Sequence, residues 1–327
     1  MWLQILCGLV ALRCLRFLFS DDEEVYVEKS VSDAIFHVAN RIEKLCGGKV
    51  YVGLRIPDAD TGTKQTIDMV LVTKGVAMVI AVRNFSGSVD VDDTGNWVCK
   101  EKNKHRAARH PDPVVEARQQ VAILESYLEQ RGLNLPEGYL IPRVVLPSPT
   151  CRPTYAISDL PEVITSDKWV ELKPEPKSGF SNWIKDAFRV GKGEMHDGIL
   201  QQLHFILRTA PMWDRLELKS DRTLLGEFSD FKGGREDMQA LRNVRRSKVG
   251  HLTVQKSSIF GVLGRSVVHV LYFPRDYRTE GTSTPEWKDA TVRSSTEVLF
   301  QPIDSKKGTV DLIWTCFKIP LLLQYTL

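Results

Sequence analysis

The sequence predicts a mixed α/β domain followed by a smaller β-rich domain. Three observations carry that expectation. Two amphipathic helical stretches flank a set of short apolar strand runs in the order helix, strands, helix, strand. A Pro-containing stretch interrupts the chain near residues 173 to 178. Beyond it, strand-like runs dominate. At 327 residues there is room for two domains, and 43% hydrophobic with 26% charged residues fits a folded globular chain.

The first helix is expected over residues 30 to 45. Ser30 can cap it, Asp33 suits its positive first turn, and Val31, Ile35, Val38, Ile42 and Leu45 form one stripe. Gly47 and Gly48 stop it. Strands are expected at 50 to 56, 66 to 73 and 76 to 83. Asp112-Pro113 starts a second helix that buries Val114, Ala117, Val121, Leu124 and Leu128 and ends at Arg131-Gly132. A strand at 139 to 146 precedes a break at Pro147, Pro149 and Pro153. These elements delimit a domain over 30–172, then a linker and helix over 173–210, with the helix near 199 to 207. A β-rich domain spans 211–327, with a helix over 235 to 246 and strands at 251 to 255, 266 to 273 and 295 to 301. The apolar stretch 312 to 327 reads as a final strand.

Residues 1–20 form a hydrophobic amino-terminal segment. Residues 2 to 12 are apolar, and Arg13 and Arg16 follow them. The run is shorter than the roughly 20 residues of a spanning helix, and its charges trail the apolar part, unlike a secretory signal. The readings that stay open are membrane attachment through residues 2–19, a helix packed on the body of the protein, or a poorly ordered end. Each leaves the main body intracellular, on the cytoplasmic side of a membrane or in cytoplasm or nucleus. Six scattered cysteines without a CxxC pair fit reduced thiols, and no HExxH spacing, GxxxxGK[ST] loop or GxSxG elbow occurs.

The informative stretch runs from Thr66 to Gly87. If Lys74-Gly75 is a two-residue turn, Thr73 pairs with Val76 and Asp68 lies opposite Ala81. Alternation then puts Arg83 on the same face. Ile67-Asp68, the Lys74-Gly75 turn, the run Val79-Ile80-Ala81-Val82-Arg83-Asn84-Phe85-Ser86-Gly87 and the later Trp97 resemble the nuclease-related domain (NERD) of the PD-(D/E)xK nuclease-like superfamily. The likeness covers roughly 30 to 146, extending as far as 172 if the whole of that domain belongs to it, and is most specific from Ile67 to Gly87. The remainder has only a general likeness to plant proteins that carry this domain.

That resemblance implies a restriction-endonuclease-like mixed sheet flanked by helices. It also implies a site in which an aspartate and a glutamate bind Mg²⁺ while a lysine assists phosphodiester cleavage. Residue by residue, Asp68 fits the metal-binding aspartate, Ala81 stands where the glutamate belongs and Arg83 where the lysine belongs. Glu116 falls where the family often has a glutamine, and Asp33 is nearest to an acidic residue of its first helix. Alanine offers no ligand, and arginine holds phosphate but cannot shuttle protons near neutrality. A Mg²⁺ ion would then rest on Asp68, backbone carbonyls, water and substrate phosphate, so its binding is weakened and not excluded, and Glu116 is the candidate to replace the missing carboxylate. The alternatives are an ion pair of Asp68 and Arg83 at the edge of the core, or a groove that holds nucleic acid without cutting it.

A basic stretch follows, with Lys100, Lys102, Lys104, Arg106 and Arg109, and suits phosphate contact as well as it suits a solvated loop. Three readings follow. The first is a catalytically impaired nuclease-like module that binds DNA or RNA. The second is a membrane-associated scaffold with protein partners. The third is a Mg²⁺-dependent nuclease with a rearranged site.

Overall fold

The structure, a computed structural model, describes residues 31–101, 107–171, 196–217, 223–245, 248–256, 265–273, 286–293, 296–303 and 317–320. The amino-terminal segment 1–20 and the linker 173 to 178 lie outside them. Among the described residues no helix is long and apolar enough to cross a membrane. The chain divides into two compact units; residues 31–213 form one and residues from 214 onward belong to the other.

The first unit opens with helix α1, Val31–Cys46. Ile35, Val38 and Ile42 of the expected stripe are buried, joined by Ser32 and Ala39, while Val31 is exposed. Strands β1 (Lys49–Pro57), β2 (Lys64–Val72) and β3 (Ala77–Val82) follow as an antiparallel meander. Then come β4 (Gly87–Val91), β5 (Trp97–Lys100), β6 (Ala108–His110), helix α2 (Pro113–Gln130) and β7 (Leu140–Val145). The unit closes with β8 (Cys151–Pro153), α3 (Tyr155–Ser158), β9 (Val163–Ile164), α4 (Ser166–Glu171) and α5 (Asp197–Thr209).

The main sheet has the order β1-β2-β3-β7-β9, with β3, β7 and β9 parallel. A parallel neighbour needs a crossover, and the chain between β3 and β7 supplies it through α2. All six residues of β3 are buried, as expected for a central strand covered on both faces. Helices α1 and α2 both pack against the sheet. Within the stretch assigned to linker and helix, α5 inserts Leu203, Ile206 and Leu207 into the core that holds Leu54, Val70 and Val79.

A second, four-stranded sheet of order β6-β5-β4-β8 was not expected. It starts at Gly87, which has φ +79° and whose added Cβ would stand 2.2 Å from the Lys100 carbonyl oxygen. Only glycine tolerates both the dihedral and the approach. Trp97 lies in the core formed with Ala81, Val89, Val114 and Ala117. Its burial alone contributes roughly 4–6 kcal/mol, as an upper bound.

The second unit is β-rich. Its strands β10 (Asp214–Glu217), β11 (Thr223–Lys232), β12 (Lys248–Lys256), β13 (Arg265–Phe273), β14 (Glu286–Arg293), β15 (Glu297–Pro302) and β16 (Phe317–Pro320) form one sheet of order β14-β13-β12-β10-β11-β15-β16. The helix expected over 235 to 246 is two short helices, α6 (Arg235–Ala240) and α7 (Arg242–Arg245). The break falls at Leu241, which is fully buried with Val244 among Leu216, Val270 and Phe300.

Candidate functional site at the open end of the β2–β3 hairpin

Lys74-Gly75 closes the hairpin as expected: Thr73 N–H donates to Val76 O at 2.9 Å, and the register runs from Val72↔Ala77 to Met69↔Ile80. Carried one step further, that register sets Asp68 beside Ala81. Thr73 reinforces the turn, its Oγ1 donating to Val76 O at 2.8 Å and accepting from Val76 N–H at 3.1 Å.

At the other end the ladder hands over to side chains. Asp68 Oδ2 accepts Val82 N–H at 2.8 Å and Arg83 Nη1 at 2.9 Å. Arg83 Nη1 also donates to Val82 O at 3.0 Å, and Nη2 donates to Glu116 Oε2 at 2.7 Å. One guanidinium therefore bridges two carboxylates. Asp68 is buried, with 12% of its side chain exposed, while Glu116 keeps 34%.

Helix α2 delivers Glu116. Asp112 caps it by accepting Val114 N–H at 2.8 Å, and Pro113 occupies the first turn. Val114 and Ala117 anchor that turn in the Ala81 core, so Glu116 points to the hairpin. One turn later Gln120 Nε2 donates to Thr66 O at 2.9 Å, fixing the helix to β2. Gln120 was missed in the sequence, although its spacing of four from Glu116 places it on the same helix face.

An open groove of about 680 Å³ runs past these side chains. Asp58, Asp60, Asp68 and Glu116 line it against two cations, Lys64 and Arg83. The groove is thus rich in carboxylate, which the sequence alone did not indicate for Asp58 and Asp60. Asp33 is not among its lining residues.

Burial pushes the Asp68 carboxyl up, and the Arg83 guanidinium and Val82 N–H pull it back. Burial works against the Arg83 charge, yet Asp68 and Glu116 together hold its pKa above the ordinary value. His110, whose ring lies 4.7 Å from Phe85, is pushed down by burial and by Arg83.

These residues do not fit a divalent cation. Ala81 supplies no oxygen, Asp68 Oδ2 and Glu116 Oε2 are both committed to the guanidinium, and the fixed positive charge of Arg83 repels a second cation. Among the described residues no group of three or more His, Cys, Asp or Glu is arranged to hold a metal.

Of the basic stretch, Lys100 ends β5 and is exposed, and Arg109 lies in β6, exposed, with Nε 3.5 Å from Asp92 Oδ2. Lys102, Lys104 and Arg106 lie outside the described residues.

A mixed sheet with α2 over the hairpin, and an acidic residue at the hairpin's open end, defines a nuclease-like α/β domain. Residues 31–147, from the start of α1 to just past β7, match the family model of the nuclease-related domain, NERD. The first unit therefore carries a nuclease-related domain. Neither the curated proteins nor the solved structures contain a match to this chain.

Proposed function

We propose that this chain is a nuclease-related protein that binds nucleic acid without cleaving it. The observation that supports this reading is the fork of Arg83 across Asp68 and Glu116. Phosphodiester hydrolysis by this class of site calls for a hard cation to neutralise developing negative charge, and here both carboxylates that would hold it are already engaged by the guanidinium. Arginine, charged at any physiological pH, neither accepts nor delivers the protons of hydrolysis.

The groove itself repels phosphate, with four carboxylates against two cations. Nucleic acid is therefore assigned to the basic stretch that carries Lys100, Lys102, Lys104, Arg106 and Arg109, where phosphate contacts would supply affinity without sequence readout. Binding of labelled single- and double-stranded DNA and RNA tests this. Affinity should fall steeply with salt, by a slope of about 0.7–0.9 per phosphate neutralised, and charge reversal at Lys100 and Arg109 should weaken it. Salt-indifferent binding sinks the proposal, and so does Mg²⁺- or Mn²⁺-dependent cleavage lost in Asp68→Asn.

The acidic excess of the groove favours a second reading, a protein-interaction scaffold that takes a basic side chain of a partner. Its membrane-associated form rests on residues 2–19. Deleting residues 1–20 should release such a protein from the membrane fraction, and an unchanged distribution argues against that form.

A further inference from the structure

We propose that Arg83 is a built-in substitute for a divalent cation, so that the site is complete without metal and becomes a metal site only when the guanidinium is removed. The inference rests on the reading that the domain does not cleave, and it extends that reading to the origin of the inactivity.

The geometry argues for substitution in place of simple loss. Had the site only decayed, Asp68 would be left as an uncompensated carboxylate, at a cost of several kcal/mol. Instead one planar cation reaches both carboxylates, 2.9 Å to Asp68 Oδ2 and 2.7 Å to Glu116 Oε2. A bridging metal would bind the same two groups. The guanidinium is tethered to the chain at the next position but one from Ala81, so it occupies the site without any association equilibrium. Its Nη1 also bonds to Val82 O, which fixes the fork on the strand. Apart from Arg83, the Asp68 carboxylate is anchored by Val82 N–H, and the backbone that carries Glu116 by the capped first turn of α2. The Asp68 carboxylate and the backbone that carries Glu116 are therefore held by structure that does not depend on Arg83.

Removing the guanidinium leaves, around the space it filled, two carboxylates that a cation would bind in its place. Such a site has few charged ligands, so weak binding, on the order of millimolar, is expected.

The test uses the full chain and Mn²⁺ alone, followed by the paramagnetic signal of free Mn²⁺ and by thermal midpoint. The unaltered protein should bind no Mn²⁺ at this site and keep the same midpoint with Mn²⁺ or with EDTA. Arg83→Ala should bind one Mn²⁺, and its midpoint should rise roughly 3–5 °C for each tenfold increase beyond half-saturation. A further Glu116→Gln change should abolish that binding. Arg83→Lys, which keeps the charge, should bind none.

If Arg83→Ala folds and binds no Mn²⁺, the inference is overturned. If it folds only with Mn²⁺, the inference is supported; if it stays unfolded with Mn²⁺, it is overturned. Mn²⁺ bound by the unaltered protein and lost in Asp68→Asn, with no cleavage, overturns the substitution alone. Cleavage by the unaltered protein overturns the non-cleaving reading beneath it.

Discussion

The two ends of the β2–β3 hairpin are made from the same pair of strands and are held in different ways. At the closed end the contacts are uncharged and, apart from those of Tyr139, local. Thr73 and Val76 exchange three hydrogen bonds across the Lys74-Gly75 turn, and Tyr139 adds one from its hydroxyl to Thr73 O at 2.7 Å. At the open end the partners are charged and distant in sequence. Asp68 meets Val82 and Arg83 from the neighbouring strand, and Arg83 meets Glu116 from a helix 33 residues further on. A neutral turn contributes a little from each bond and loses a little with each. A half-buried ion triad contributes little net stability when whole and costs much when one member is removed.

The sharpest way to break that contrast is Asp68→Ala. It leaves Arg83 with Glu116 as its remaining carboxylate partner and orphans Val82 N–H, and should cost about 3 kcal/mol in chemical denaturation. The double change Asp68→Leu, Arg83→Met should recover most of that loss, because apolar pairs of similar volume replace buried ion pairs at little cost. A double mutant as unstable as Asp68→Ala would show that the charges themselves hold the open end.

At the closed end Thr73→Val keeps the shape and removes both hydroxyl bonds. A loss of about 1 kcal/mol is expected, and a loss matching Asp68→Ala would erase the distinction between the ends.

Acidification sharpens the comparison through His110. Its pKa is lowered in the folded state, so the unfolded chain takes up its proton first as pH falls. Its contribution is full above pH about 6.5 and is lost progressively as pH drops from there towards its folded value. His204 in the same unit is also lowered by burial and acts in the same direction. His110→Gln should therefore flatten the denaturation midpoint against pH only in part, and an unchanged slope contradicts the assignment.

The smallest effect belongs to the turn itself. An added Cβ at Gly75 meets nothing within 4 Å, and its φ is not positive, so Gly75→Ala should change stability by no more than about 0.5 kcal/mol.

Much of the hairpin was legible from sequence. A two-residue turn fixes register, and a period of two then fixes which side chains share a face; Asp68, Ala81 and Arg83 follow from Lys74-Gly75 alone. The helix starting at Asp112-Pro113 was legible because its cap is a local bond. Other parts were not. Strands β4, β5, β6 and β8 are three to five residues long, too short for periodicity to register, and β8 joins by parallel pairing from far along the chain. Helix α5 showed its apolar stripe, but nothing local said that Leu203, Ile206 and Leu207 fill the first unit's core.

For the site the division is similar. Sequence by itself determined that an aspartate and an arginine share one face at the end of an apolar hairpin, since alternation along paired strands allows no other arrangement. It also determined that position 81 carries no ligand. Only the tertiary structure decided what the arginine does there. Glu116 could have faced solvent from the first turn of α2, and packing of Val114 and Ala117 against the sheet turned it to Arg83. Side-chain partners across 33 residues depend on how a helix docks, and docking is set by core packing that no local pattern encodes.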